Sequence, residues 1–366
     1  MAGESKAGGL LAGVRVLDLS IWRPGPYATQ LLVELGADVV KVEPPGGDPM
    51  RVFPTLFSVL NAGKRAAAVD LKDETGRAAV LDLARGAEVV VEGFRPGVAG
   101  RLGVDEASIR TVNRSVVYCS ISGYGQRGRL SDLPGHDLNY QAWAGILEPR
   151  AEHDAPVVAR PPIADLAGGV YAAFAICAAL AQRSRTGEGE AIDVAMADVL
   201  ATWTGAVPPL TLPDGREIGG RLAGYGTFRT GDDRWVTLGV ISEDHLWAKL
   251  ARVLGLDDVA SVAFAERVER TGPLNDRLAS AIVGRERDEL VEELVAARVP
   301  VAPVLSQTEM LAAVHFRSRG IVADDSGGNP VTGHPLRYRE HPARWPREVP
   351  PLSEGPRPLP AWHSDR

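Results

Sequence analysis

The N-terminal part of the chain alternates short apolar runs with segments of helical periodicity. Residues 14–19 form an apolar run that predicts a buried strand, and residues 27–35 have helical spacing that ends at Gly36. Residues 37–42 predict a second strand. A strand, a helix and a strand in this order indicate a parallel pair joined by a right-handed crossover.

The same order of elements continues downstream. Further strands are predicted at 66–69, 89–91 and 115–121, with a helix at 75–84. Parallel strands covered by helices on both faces are typical of doubly wound sheets. The predicted fold class is therefore α/β, with a doubly wound, Rossmann-like large domain.

The longest predicted helix spans 165–185 and ends near Gly187. Its residues are apolar on nearly every side, so we expect the helix to be buried. Asp165 stands at its first position, where aspartate is a preferred N-cap.

Composition changes between 204 and 226, where prolines and glycines accumulate. A second pattern follows, with a strand at 235–240 and helical segments at 244–254 and 274–297. These features predict a large α/β domain at 1–203, a linker at 204–225 and a smaller α/β domain at 226–315. A C-terminal segment at 316–366 is expected to return to the large domain.

Composition and charge narrow the function. The chain has 45% hydrophobic residues, which is ordinary for a globular protein. Its formal net charge of -7 argues against nucleic-acid binding. Cys119 and Cys177 lie in apolar runs outside any metal-binding motif, so we expect both to be buried thiols. Free thiols fit a reducing cytosol. The polar N-terminus has no secretory signal and no apolar run has the length of a membrane span, so we expect a cytoplasmic protein.

Candidate chemistry begins with the Gly-His-Asp loop at His136 and the helix start at Asp165. A histidine and a carboxylate can move a proton between two faces of a carbon if the fold brings them together. Small residues after Asp165 would leave helix amides free for an oxyanion, and the helix start would keep Asp165 ionised beside a protonated His136. Asp137 could orient the imidazole or simply cap the following helix. The alternative for the other two residues is structural, with Asp165 as an ordinary N-cap and His136 at the surface.

Basic residues near the ends of predicted strands form a second group of candidates, namely Lys41, Lys64, Arg65 and Arg95. Ligands of open α/β sheets bind at the carboxyl ends of the strands, so these charges suit phosphate groups, with solvated surface charge as the alternative. The sequence has no GxGxxG, P-loop or GxSxG motif. Their absence argues against a Rossmann dinucleotide site, a P-loop enzyme and a serine hydrolase.

Several longer motifs extend over most of the chain, at 23–29, 35–43, 61–65, 91–97, 121–125 and 165–194. Together they resemble the family III CoA-transferases (CaiB/BaiF type), the superfamily that includes the alpha-methylacyl-CoA racemases. The resemblance implies two α/β domains, an interlaced homodimer, an acyl-CoA thioester as substrate and no tightly bound cofactor, with coenzyme A entering as part of the substrate. It implies a CoA site formed by Arg23, Lys41, Lys64, Arg65, Arg95, Tyr124 and Gly125.

The transferases and the racemases of this superfamily differ at the position of His136. Transferases use the aspartate at the position of Asp165 as a nucleophile, through an acyl-aspartyl anhydride and an aspartyl-CoA thioester. Racemases keep that aspartate and add a histidine in a motif that residues 135–140 match. The resemblance therefore implies an alpha-methylacyl-CoA racemase in which His136 and Asp165 exchange the α-proton through an enolate, with Asp137 and Glu243 in support. A CoA-transferase acting through Asp165 is the alternative, and a specialised or non-catalytic CoA-thioester-binding protein is a second one.

Overall fold

The computed structural model describes residues 9–148, 156–207, 222–325, 328–345, 348–351 and 359–363, together with Thr211 and Gly215. The chain forms two compact units, one of Met1–Ala206 with His315–Arg366 and one of Val207–Val314. Much of the predicted linker at 204–225 lies outside the described residues.

A six-stranded parallel sheet forms the centre of the first unit. Its strands lie in the order β3-β2-β1-β4-β5-β6. In chain order they are β1 (Arg15–Asp18), β2 (Asp38–Glu43), β3 (Arg65–Ala68), β4 (Val89–Glu92), β5 (Val117–Ser122) and β6 (Ala191–Ala195). This order is that of a doubly wound sheet, so the predicted fold class is confirmed.

Helices cover both faces of this sheet. They are α1 (Pro24–Glu34), α2 (Pro54–Asn61), α3 (Glu74–Arg85), α4 (Val98–Leu102), α5 (Glu106–Val112), α6 (Asp137–Trp143), α7 (Ile163–Thr186) and α8 (Met196–Gly205). Val89 and Val91 of β4 pack with residues of α1 and α7, whereas Val90 packs with residues of α3 and α5. Successive residues thus point to two buried faces, which explains why the strands are unbroken apolar runs.

Helix α7 is the long apolar helix that the sequence predicts, but it begins at Ile163. Asp165 therefore lies in its first turn and is not its N-cap. By length and composition the helix could cross a membrane, since its most apolar window has a mean hydropathy of 1.8. In this fold one face of the helix is packed, with Ala172 and Ile176 fully buried, but Tyr171 and Phe174 are exposed. The predicted burial is therefore confirmed for one face only.

The second unit contains a three-stranded antiparallel sheet in the order β7-β8-β9. Its elements are β7 (Tyr225–Arg229), β8 (Trp235–Gly239), α9 (Asp244–Val253), α10 (Phe264–Glu269), α11 (Thr271–Ile282), α12 (Arg287–Ala296), β9 (Val301–Pro303) and α13 (Gln307–Ala312). Trp247 is fully buried at its centre, and its indole N–H donates to Val259 O at 2.8 Å. The helical segment predicted at 274–297 is in fact two helices, because Glu286 adopts an extended backbone and begins α12.

The C-terminal segment belongs to the first unit. It contains α14 (Val314–Ser318) and the hairpin of β10 (Val322–Asp324) and β11 (Pro330–Thr332). The Gly63 N–H donates to Glu348 O at 2.6 Å, and the Trp362 indole N–H donates to Leu83 O at 2.9 Å. These hydrogen bonds attach the end of the chain to the loop before β3 and to α3.

Candidate active site

The loops after β1 and β4 lie side by side at the carboxyl edge of the large sheet. Asp18 of β1 pairs with Val91 of β4, and the Leu19 N–H donates to Val91 O at 2.8 Å. The strand order reverses between these strands, and such a switch point is where open α/β sheets bind ligands. The first loop contains Arg23 and the second contains Arg95, so both arginines lie at this edge.

A buried ion pair holds the loop after β1. The Lys41 ammonium donates to Ser20 O at 2.6 Å and lies 2.9 Å from the Asp48 carboxylate. Asp48 also accepts the Trp22 N–H at 3.5 Å. Trp22 has a φ of 62°, which bulky residues seldom adopt, so its surroundings fix the backbone directly before Arg23.

A second buried ion pair lies beneath the same loop. The Lys64 ammonium contacts the Asp18 carboxylate at 3.2 Å, Pro26 O at 3.0 Å, Thr29 Oγ1 at 2.8 Å and Asn61 Oδ1 at 2.9 Å. Burial lowers the pKa of Lys64 to about 8. Burial alone would raise the pKa of Asp18, but the charges of Lys64 and Lys41 together with hydrogen bonds from Ser20 and Thr29 outweigh it and hold that pKa at about 2.

These contacts correct the CoA-binding role expected of Lys41, Lys64 and Arg65. Lys41 and Lys64 are only 0% and 4% exposed, and their ammonium groups are engaged by protein oxygens, so neither faces a phosphate at the surface. Arg65 opens β3 and pairs with Asp38, the first residue of β2, at 2.6 Å. It also donates to the carbonyl of Ala361. The Arg65 guanidinium therefore joins β3 to β2 at the amino edge of the sheet and binds the C-terminal segment.

An apolar cleft of about 280 Å³ opens at the carboxyl ends of β1 to β4. Its walls come from residues at or just after those strands and from α4, among them Leu19, Val42, Val69, Leu71, Phe94 and Leu102. An apolar cleft at this edge suits a flat ring system, and Lys72 in its lining adds a positive charge. Sequence reasoning missed this cleft, although apolar residues directly after the predicted strands, such as Leu71 and Phe94, were a signal for it.

The loop that contains His136 is built around Tyr140. The Tyr140 hydroxyl donates to Gly135 O at 2.6 Å, and its ring lies edge-on to Tyr124 with ring centroids 5.1 Å apart. A Cβ at Gly123 would come within 2.3 Å of the Tyr140 ring, so only glycine fits there. These contacts fix the backbone around His136, whose side chain is exposed.

His136 and Asp137 stand together at the start of α6 but have different roles. His136 is the N-cap residue, and its backbone N–H donates to Asn139 Oδ1 at 3.0 Å. The Asp137 carboxylate accepts the N–H of Ala164 at 2.6 Å and that of Asp165 at 3.2 Å. Asp137 therefore caps α7 from a separate segment, and not the helix that it begins.

This cap corrects the oxyanion site expected at the start of α7. The amides of Ala164 and Asp165 already bind Asp137, so they are not free for an enolate oxygen. The glycines of α7 also have another role, since a Cβ at Gly169 would come within 2.8 Å of Pro24 O in α1. Small residues here allow two helices to pack closely and do not open the backbone to a ligand.

The Asp165 carboxyl is half-buried. Burial raises its pKa to about 6, and the Asp137 carboxylate adds to the rise, whereas the charges of Arg23 and His136 oppose it. The direction is opposite to the one expected from a helix start, because burial and the Asp137 charge outweigh the opposing charges. Arg23 and His136 lie close enough for their charges to act on Asp165, so the structure brings these three residues together.

Arg23 and Arg95 are the basic candidates that remain at the carboxyl edge. Arg23 is partly exposed and Arg95 is exposed, and within the described part of the chain neither side chain has an ion-pair or hydrogen-bond partner. Burial raises the pKa of Tyr140 to about 12, and the positive charge of Arg95 opposes that rise. Arg23 therefore belongs to the group of side chains around Asp165, Arg95 acts on Tyr140, and both are available to a ligand.

Tyr124 and Gly125 lie at the carboxyl end of β5. Tyr124 is nearly buried against Tyr140, and burial raises its pKa. Gly125 has a φ of 85°, and its N–H donates to Ser122 Oγ at 2.9 Å. Their contact with coenzyme A stays a prediction.

Glu243 lies in the second unit, exposed at the start of α9. Backbone hydrogen bonds from its own N–H and from that of Ile241 lower its pKa, the latter at 3.0 Å. Arg267 fixes the same loop by donating to Ile241 O at 2.7 Å and to Asp244 at 2.9 Å. The support of His136 by Glu243 stays a prediction.

The family model described as CoA-transferase family III matches residues 11–355. The chain belongs to CoA-transferase family III. An acetyl-CoA:oxalate CoA-transferase from Acetobacter aceti is 33% identical to this family III member, over 91% of this chain and 90% of the relative. A succinate–glutarate CoA-transferase from Agrobacterium fabrum is 30% identical over 94% and 93% of the two chains. A solved CaiB/BaiF family protein from Brucella suis has a TM-score of 0.83 at 29% identity, with 94% of this chain and 97% of that chain covered.

These comparisons separate the two activities that the sequence left open. The relatives are named as CoA-transferases, so membership of family III favours acyl transfer over racemisation. The expectation of an alpha-methylacyl-CoA racemase, which rested on the motif at His136, has no support from them.

Proposed function

We propose that this chain is a CoA-transferase that moves coenzyme A from an acyl-CoA thioester to a carboxylic acid, with Asp165 as the nucleophile. The main support is the half-buried Asp165 carboxyl, whose pKa of about 6 and cationic neighbour Arg23 distinguish it from a surface aspartate. At neutral pH the group is largely ionised yet poorly solvated, which favours nucleophilic attack.

The first half-reaction loads coenzyme A onto the protein. An Asp165 oxygen attacks the thioester carbonyl carbon, a C–O bond forms, the C–S bond breaks, and CoA leaves as a thiolate. The thiolate then attacks the aspartyl carbonyl of this anhydride and displaces the donor acid as a carboxylate. CoA is now held as a thioester on Asp165.

The second half-reaction unloads it. An acceptor carboxylate attacks the aspartyl carbonyl and displaces the CoA thiolate, which then attacks the acceptor's acyl carbonyl and frees Asp165. Each step exchanges one anion for another, so no proton has to be removed. The useful neighbours of Asp165 are therefore cations or hydrogen-bond donors that stabilise the developing oxyanions. The Arg23 guanidinium and the His136 imidazole fit that need.

The proposed position of coenzyme A follows from the same edge of the sheet. The apolar cleft at the ends of β1 to β4 suits the adenine ring. Lys72 in the cleft lining and Arg95 after β4 are the charges that suit its phosphates. Relatives are named for oxalate, succinate and glutarate, so small dicarboxylic acids are the first acceptors to test.

We also propose that the working form is a homodimer. Large aromatic side chains stay exposed on the first unit, with Phe174 70% and Trp203 40% exposed. The Trp203 indole N–H donates to the Tyr171 hydroxyl at 3.2 Å, so α7 and α8 share this aromatic surface. Exposed aromatic groups of this kind mark interaction surfaces. Light scattering that gives the mass of one chain would contradict the dimer.

The decisive experiment removes the nucleophile. Asp165→Asn should reduce transfer by at least ~10³-fold, because the covalent route is lost. Intact-protein mass spectrometry after addition of acetyl-CoA or succinyl-CoA should detect a CoA adduct on the wild type and none on this variant. Asp82→Asn, which removes an exposed carboxylate on α3, is the matched control and should load CoA normally.

Exchange of the α-proton is the second candidate, because the charge of His136 acts on Asp165. A racemase would incorporate deuterium at the α-carbon of a chiral 2-methylacyl-CoA in D₂O, and His136→Ala would abolish that exchange. Deuterium incorporation without a CoA adduct would overturn the transferase proposal. Failure of both reactions would favour a non-catalytic CoA-binding protein.

A further inference from the structure

Arg23 differs from the cations around it in its lack of a partner. Lys41 and Lys64 lie in the same region, and each is paired with a buried aspartate. The Arg23 guanidinium is partly exposed and, among the residues that the structure describes, has no ion-pair or hydrogen-bond partner. A free guanidinium in a built site is suited to an anion supplied from outside.

Two packed helices place Arg23 beside Asp165. Arg23 is the N-cap residue of α1, and α7 packs on the first turn of α1 at Gly169, where a Cβ would come within 2.8 Å of Pro24 O. Asp165 precedes Gly169 by one helical turn and so lies on the same face of α7. Both helices run back from the carboxyl edge of the sheet, so this turn brings Asp165 toward Arg23. The effect of the Arg23 charge on Asp165 agrees with this geometry.

The backbone beneath Arg23 is rigid. Lys41 holds Ser20 O at 2.6 Å, and Asp48 accepts the N–H of Trp22 at 3.5 Å. Backbone held in this way fixes the point from which the Arg23 side chain extends. The guanidinium can therefore reach a ligand bound beside Asp165.

We propose that Arg23 binds the carboxylate of the acceptor acid once Asp165 holds coenzyme A. The inference rests on the proposed transferase function. In the resting protein Arg23 faces an ionised Asp165, but formation of the aspartyl-CoA thioester removes that negative charge. The guanidinium then stands without a counter-charge beside an electrophilic carbonyl, and an incoming carboxylate restores the balance through two parallel hydrogen bonds.

This placement assigns Arg23 to one half of the reaction. One oxygen of the bound carboxylate attacks the aspartyl carbonyl carbon, a C–O bond forms, the C–S bond breaks, and CoA leaves as a thiolate. Loading of CoA has Asp165 itself as the nucleophile and ends with release of the donor acid, so it needs no bound acid. Loss of Arg23 should therefore raise the acid concentration that discharge needs, whereas the adduct should still form, although more slowly, since Arg23 also stabilises the oxyanions of loading.

The test separates loading from discharge. Wild type, Arg23→Met and Arg23→Lys are loaded from acetyl-CoA or from succinyl-CoA, freed of excess donor, and mixed with increasing acetate or succinate respectively. The donor's own acid must discharge the adduct, because the reaction is reversible. Intact-protein mass spectrometry follows the decay of the CoA adduct. Arg85→Met, which removes an exposed arginine on α3, is the control for loss of charge.

We expect Arg23→Met to load CoA but to need ~10–100-fold more acid for half-maximal discharge, as the loss of a charged hydrogen-bond pair implies. Arg23→Lys should be intermediate, and Arg85→Met should match the wild type. If Arg23→Met loads CoA and responds to acid as the wild type does, or if only its loading fails, the inference is wrong and the proposed function stands. If the wild type gains no adduct from either donor, the proposed function fails and the inference with it.

Discussion

Asp18 and Asp165 are two aspartates near the carboxyl edge of one sheet, and the protein moves their pKa values in opposite directions. Asp18 is fully buried, yet the charges of Lys64 and Lys41 outweigh desolvation and hold its pKa at about 2. Asp165 is only half-buried, yet burial and the neighbouring Asp137 raise its pKa to about 6. The balance between burial and the neighbouring charges, and not the depth of burial alone, decides how each carboxyl ionises.

The difference separates a structural charge from a reactive one. The Asp18 oxygens accept hydrogen bonds from Ser20 and Thr29 and pair with Lys64, so they are fully used. Within the described ranges, the Asp165 carboxylate has no such donor and feels its neighbours only through space. A carboxylate whose oxygens are free can form a covalent bond to a substrate, whereas one held by four donor groups stabilises a fold.

Neutralising Asp18 should produce the largest effect. Asp18→Asn leaves the Lys64 ammonium buried without its counter-ion, and we expect the free energy of unfolding to fall by ~3–5 kcal/mol in urea unfolding experiments. The folded pKa of Asp18 lies below its ordinary value of 3.8, so its stabilising contribution is present above that pH and is lost as the pH falls through about 2. Asp82→Asn should change stability by no more than ~0.5 kcal/mol. A loss for Asp18→Asn no larger than the control's would show that the pair is not ionic.

The same substitution at Asp165 should have the opposite sign. Its folded pKa of about 6 lies above the ordinary 3.8, so the folded protein holds this proton more tightly than the unfolded chain, and stability falls as the pH rises through that window. We expect Asp165→Asn to raise the free energy of unfolding at neutral pH by ~1–2 kcal/mol, a figure discounted because the group is partly solvated. Thermal unfolding measures it. A variant that melts below the wild type would reveal a structural role for this carboxylate.

The fold could be predicted largely from local signals in the sequence. The apolar runs at 89–91 and 115–121 coincide with β4 and β5, because strands covered on both faces need apolar residues at every position. The break within 274–297 could not be predicted in the same way. Helical spacing continues through it, and the extended backbone at Glu286 depends on how α11 and α12 pack.

The site could be predicted only in part. The motifs identified His136 and Asp165, and their electrostatic coupling agrees with a shared site. The cap that Asp137 places on α7 joins two segments distant in sequence, and no local pattern indicates it. The position of Lys64 beside a strand is visible in the sequence, but whether its long side chain points outward or inward depends on a tertiary partner, Asp18.

The smallest and most specific effect concerns the pH dependence of transfer. Only the ionised Asp165 attacks the thioester, so kcat/KM for acyl-CoA should fall about tenfold per pH unit below about pH 6. Asp137→Asn keeps an oxygen that can cap α7 but removes the charge that helps to raise the Asp165 pKa. The fall of kcat/KM in acid should therefore move to lower pH. Asp137→Ala also removes the cap and should cost ~1 kcal/mol of stability.

Comparison of these two variants separates the charge of Asp137 from its hydrogen bonds. Steady-state rates across the acidic range, with thermal unfolding on the same samples, measure both effects. If the pH profile of kcat/KM moves to lower pH in Asp137→Asn without a loss of stability, a neighbouring charge helps to distinguish Asp165 from Asp18. If the profile stays in place, burial alone raises the Asp165 pKa, and the contrast with Asp18 then depends on the lysines and hydrogen bonds around Asp18.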